Sequence, residues 1–148
     1  MIWCVAFLVS FVYASLVEYG AHRWTMHMPG FGKIRLWEEH AVQHHIKHRM
    51  DVNIVLSGFT VFLAASPLLG FCFILGWLWA IIILFGCMLY AQIWSSLHAS
   101  YHEVGSEWIT SFPFYNIWRR HHLEHHKHPN KNFSTLFIWV DWLFGTQA

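Results

Sequence analysis

Three stretches of the sequence, 2–17, 52–69 and 71–97, contain no Asp, Glu, Lys, Arg or His. In lipid a backbone must satisfy its own N–H and C=O groups, and a helix does so within one segment. The chain is 56% hydrophobic and only 11% charged, against roughly 25% charged residues in a soluble domain. The expected fold is all-α: one integral membrane domain over 1–148, with about three transmembrane helices at 2–20, 52–69 and 71–97. Ten Trp and 13 Phe suit a protein that lives partly at a lipid interface. A net charge of +1, with basic residues interleaved with acids, argues against nucleic acid as a partner.

The apolar start could be read as a signal peptide, but no Lys or Arg precedes it and no small-residue cleavage site follows. A first crossing is the better reading, and its shortness leaves room for sequence upstream. Pro67 and Gly70 are expected to turn the second run into the third. The third run is too long for one perpendicular crossing of a ~30 Å hydrocarbon core. Its excess is read as a helix continuing into water. A turn is expected at Pro29, Gly30 and Gly32, a surface helix at 35–50, and a loop at 103–116. A further helix follows, ended by Pro129 and Asn130. The aromatic segment 133–144, a possible fourth hydrophobic segment interrupted by Asp141, is expected to lie in the interface.

One crossing followed by a hairpin puts the polar segments 21–51 and 98–148 on one side. All nine Lys and Arg fall in those two segments, which makes that side cytoplasmic by the positive-inside rule. All thirteen histidines fall there too.

The histidines form four clusters: His22 and His27; His40, His44 and His45; His98 and His102; His122, His125 and His126. On an α-helix, residues four apart share a face, so His40/His44, His98/His102 and His122/His126 can each converge on a metal. The doublets His44-His45 and His125-His126 point ~100° apart and can feed two neighbouring ions. His22 and His27, five apart, diverge by about 140° on an ideal helix and need a helix end or two different metals. Ten candidate ligands exceed the roughly four to six one transition metal accepts, and imidazole alone does not name the metal. Glu18, Glu39, Glu103 and Glu124 are candidate charge-compensating or distal hydrogen-bond partners of the rings. His48, His121 and His128 lie outside the tightest patterns and read as ordinary interfacial histidines. Cys4, Cys72 and Cys87 lie in apolar runs with no metal-ligand spacing, as small buried residues do.

The motifs HRWTMH (22–27), HAVQHH (40–45), HASYH (98–102) and HLEHH (122–126), with Asn132-Phe133 and DWLFGT (141–146), resemble the fatty acid hydroxylase superfamily of membrane di-metal enzymes. That superfamily includes sterol desaturases and carotene hydroxylases. The match spans about 18–146. One departure is the second box, commonly HxxHH and here HxxxHH, which leaves His40 as the position out of pattern. The resemblance implies two iron ions, with zinc as a possible substitute, held by His22, His27, His40, His44, His45, His98, His102, His122, His125 and His126 at the cytoplasmic membrane face. It implies hydroxylation or desaturation of a lipid, whether fatty acyl, sterol or carotenoid, using O2 and two external electrons. The chain carries no GxGxxG fingerprint and no haem-attachment motif. The electrons are therefore expected from a separate protein of the cytochrome b5, ferredoxin or rubredoxin kind, docking on Arg119, Arg120 and Lys127. The alternative is a non-catalytic histidine-rich metal-binding or metal-transport membrane protein. Transport predicts acids or histidines within the crossings, and the three runs contain none.

Overall fold

The computed structural model describes residues 2–28, 35–47, 49, 58–104 and 107–148. The expected turn at Pro29, Gly30 and Gly32, His48, the start of the second crossing and the Gly105-Ser106 part of the 103–116 loop lie outside these residues. All regular structure among the described residues is helical: α1 (Ile2–Gly20), α2 (Arg35–Trp37), α3 (Gly58–Leu75), α4 (Trp77–Tyr101), α5 (Tyr115–Lys127) and α6 (Trp139–Leu143). Two π-helical segments extend α1 (Ala21–Met26) and α2 (Glu38–Ile46), and a 3₁₀ turn at Glu107–Ser111 precedes α5.

Two helices are long and apolar enough to cross a membrane, α1 with its π extension (Ile2–Met26) and α4. Their outer faces expose Val5, Leu8 and Val12 on α1 and Ile81, Phe85 and Met88 on α4, an arrangement that lipid accommodates and water does not. Small residues let them approach closely at one point. Ala6, Ser10 and Ser15 of α1 are buried, and Ser10 meets Gly86 of α4. A Cβ at Gly86 would lie 2.8 Å from the Ser10 Cβ and 1.9 Å from its Oγ, so only glycine lets the two backbones approach this closely.

The hairpin turns later than Pro67 and Gly70. Helix α3 runs through both and ends at Leu75. Gly76 makes the turn with φ at 122°, a region closed to other residues by their Cβ. The helix survives Pro67 because of its neighbour. Proline at 67 has no N–H for the Leu63 carbonyl, and the Ser66 hydroxyl donates to that carbonyl instead, at 2.7 Å. Ala65, Leu69 and Cys72 of α3 then pack with Ala80, Ile83 and Cys87 of α4. The third run is thus divided between two helices, and α4 carries His98 in its last turn with His102 as its cap.

The C-terminal residues form a strap across the helix ends. Phe137 packs against Phe11 of α1 and Tyr90 of α4. Asp141, which the sequence placed as an interruption of an interfacial segment, is fully buried. Trp139, Trp142, Leu143 and Phe144 around it are exposed, as an interfacial segment requires.

Candidate metal centre

Four pieces of backbone bring the histidines together: the two π-helical segments, the end of α4, and α5. Nitrogen donors of His22, His27, His40, His45 and His125 all lie within 4.8 Å of one another, and those of His44, His102, His122 and His126 form a second such group. The groups are adjacent. The stacked His45 and His126 rings are 4.3 Å apart, and His40 and His44 are 5.4 Å apart.

The winding of the backbone decides the membership. A π-helix bonds i to i+5 and so narrows the angle between residues five apart. His22 and His27 therefore share a group, their rings 5.1 Å apart, without the helix end or second metal that α-geometry demanded. His40 likewise joins His45, with Nε2 atoms 3.1 Å apart. The expected pairing of His40 with His44 is not found. His44 turns to the other group, where its Nε2 lies 3.1 Å from that of His126. On α5 the winding is ordinary. His122 and His126 converge with Nε2 atoms 3.1 Å apart, and His125 points to the first group. Both doublets divide as their spacing predicts.

His98 is the one candidate outside both donor groups. Its ring stacks on Trp94 and lies 5.0 Å from His44 and 4.7 Å from His122. Its Nε2 is buried with no hydrogen-bond partner, the condition of a polar atom that lacks a ligand. The HASYH pair therefore contributes one donor to the second group, with the other ring packed against that group's edge.

The donor set is compatible with a cation. A carbonyl only accepts, so His22 Nδ1 donates to the Phe133 carbonyl and His125 Nδ1 donates to that of Lys131 at 2.6 Å. The Nε2 of each neutral ring is then a bare lone pair. His22 Nε2 nonetheless sits 2.8 Å from His40 Nε2, and His125 Nε2 sits 3.1 Å from those of His27 and His45. Each of these contacts needs either a proton on the partner ring or a positive ion among the rings. Protons do not supply the charge. Burial, then the neighbouring imidazoles, lower His27 to about 4 and His125 to about 3. Burial and His44 lower His102 to about 4. His40, His45 and His122 are held well below the ordinary range for the same reasons. All are neutral near pH 7, the form that ligates metal.

Three of the four carboxylates singled out in the sequence do other work. Glu18 is buried and accepts from the Tyr90 hydroxyl and the Thr135 amide, tying α1 to α4 and the strap. Glu103 pairs with Arg119 at 3.0 Å and Glu124 with Lys127 at 2.6 Å, both on the surface. Those pairs also neutralise two of the three cations expected to dock an electron donor. Glu39 is half-buried on the second π-helical segment. The acceptors for the distal ring nitrogens of His22 and His125 are backbone carbonyls of 131–133.

His121 is not an interfacial residue. It is buried and donates through Nε2 to Asp141 Oδ2 at 3.0 Å. His128 is exposed at the end of α5. Burial pushes the Asp141 carboxyl up, but bonds from His121, Thr146 and the amides of Ser134 and Phe133 outweigh it and hold the group below the usual carboxylate range. The sequence carried one signal of this role, a lone acid in the apolar stretch WVDWL, since charge in such a setting needs partners.

An apolar cavity of about 120 Å³ opens between α1, α3 and α4. Val17, Val61, Ala65 and Trp94 line it, and it reaches Glu18 and His22.

Fold and site together define an all-helical chain with membrane-length apolar helices and histidine clusters compatible with metal binding. The chain belongs to the fatty acid hydroxylase family, whose model matches residues 7–146. No curated protein and no solved structure gives a significant match. The family is membrane-associated and typically iron-dependent, and its members are generally oxidoreductase-type lipid hydroxylases.

Proposed function

We propose that this protein is a membrane non-haem di-iron oxygenase that hydroxylates or desaturates a lipid with O2 and electrons from a separate protein. The observation that carries the reading is the division of nine imidazole donors, all buried or half-buried, into two adjacent groups. His22, His27, His40, His45 and His125 would hold one iron. His44, His102, His122 and His126 would hold the other, with His98 and its unpartnered Nε2 completing it. When bound, the two irons supply reduction of O2 and removal of hydrogen from an unactivated C–H bond.

The chain's own residues do the rest. The carbonyls of Phe133 and Lys131 keep His22 and His125 in the tautomer whose Nε2 faces inward. Trp94 and Tyr101 pack on His98 and His122 and exclude water from the second group. The apolar cavity between α1, α3 and α4 ends at His22, and it is suited to hold the lipid with a C–H bond towards the donors. We assign the site to the cytoplasmic face because every Lys and Arg lies in the two polar segments. We assign three crossings, since α3 is apolar throughout and pairs with α4 as a hairpin.

Metal and product analysis of detergent-purified protein tests the reading. About two irons per chain, with O2-dependent formation of a hydroxylated or unsaturated lipid, is the expected result. One zinc per chain with no oxygen uptake would overturn it in favour of a non-catalytic metal-binding protein.

A further inference from the structure

We infer that Asp141 is a positioning residue for the first donor group: it aims the two strap carbonyls that orient His22 and His125, and it acts on that group and not on the second. The inference rests on the two-metal reading above.

Asp141 is fully buried and both its oxygens are saturated. Oδ1 accepts from the Phe133 amide at 2.8 Å and the Thr146 hydroxyl at 2.7 Å. Oδ2 accepts from the Ser134 amide at 2.8 Å and His121 Nε2 at 3.0 Å. In a trans peptide, C=O and the following N–H point in opposite directions. The Ser134 N–H points at Asp141, so the Phe133 carbonyl of the same peptide points away from it, and there it receives His22 Nδ1.

The second carbonyl is aimed in the same way, one step removed. The Asn132 N–H donates to the Thr146 carbonyl at 2.9 Å, so the Lys131 carbonyl points the other way, to His125 Nδ1. Thr146 is itself held by Asp141, through its hydroxyl and through its amide on the Asp141 carbonyl at 2.8 Å. One carboxylate thus governs two peptide planes, and both deliver a carbonyl to the first group. The second group draws His102 and His122 from α4 and α5, and neither strap carbonyl serves it.

Cobalt(II), titrated into metal-free, detergent-purified full-length protein, reads the two positions separately. The wild type is expected to take up two ions. A wild type that binds fewer contradicts the two-metal reading itself. In Asp141→Asn an amide N–H faces donors that now lack an acceptor. One ion is then expected to bind as before and the other to weaken by at least about tenfold, the scale seen when outer partners of metal-ligating histidines are removed. Adding His44→Ala to this variant should abolish the remaining uptake, and adding His27→Ala should leave it. Thr146→Val, which removes one donor at constant size, gives the same one-sided loss in milder form and carries the test where Asp141→Asn does not fold. Equal weakening at both positions, or none at either, in these variants would overturn the inference.

Discussion

The two donor groups lie side by side yet are assembled by different means. The second takes three of its four rings from ordinary α-helical winding, His122 and His126 four apart on α5 and His102 capping α4, and only His44 from a π-helical segment. The first depends on two π-helical segments, which bring His22 beside His27 and His40 beside His45 at a spacing of five. It also depends on the strap, which fixes two of its rings through backbone carbonyls. The difference teaches that which group a histidine joins is not a property of its spacing. It is a property of spacing and backbone winding together.

The largest effect that would break this comparison comes from the ligands. His125→Ala is expected to abolish activity and empty the first position while leaving membrane insertion intact. Full activity in that variant, measured as product formed per O2 consumed, would refute the assignment. The adjacent pair sharpens the point. His44→Ala and His45→Ala alter neighbouring residues, yet they should empty opposite positions in a cobalt titration, the second and the first respectively. Loss of the same position in both would mean that the π-helical winding does not set the ligands.

A change of pH acts on both groups. His27 and His102 sit near 4 in the folded chain, against about 6.5 when unfolded. Between those values the unfolded state binds more protons, so folding is favoured in full above about 6.5 and loses stability as pH falls towards 4. Metal should be released over the same window, because protons compete for the donors. Thermal melts of metal-free protein from pH 8 to pH 4 check the first claim, and retained metal at each pH checks the second. Stability that rises as pH falls would contradict it.

Smaller effects lie away from the donors. Gly86→Val should cost about 1–3 kcal/mol by forcing α1 off α4, seen as a lower melting temperature in detergent. Glu103→Gln breaks only the exposed pair with Arg119 and should shift stability by less than about 1 kcal/mol.

Much of this was legible in the sequence. The uncharged runs required helices, the four histidine clusters held the nine rings that converge, and the doublets His44-His45 and His125-His126 pointed to two groups. What was not legible was set by local backbone detail. Nothing in HAVQHH announces π winding, so His40 was paired with His44 instead of His45. Pro67 looked like a terminator because its rescue by the Ser66 hydroxyl is a contact that no turn rule encodes. His121 looked superfluous because its partner, Asp141, is twenty residues away and its burial follows from the fold of the strap. The carbonyls of 131–133 are invisible in any sequence, since every residue has one.

An anomalous difference map at the iron edge, from crystals of the iron-loaded protein, tests the central claim most directly. Two peaks are expected, one enclosed by His22, His27, His40, His45 and His125 and the other by His44, His102, His122 and His126. A single peak, or peaks away from these groups, would contradict the account.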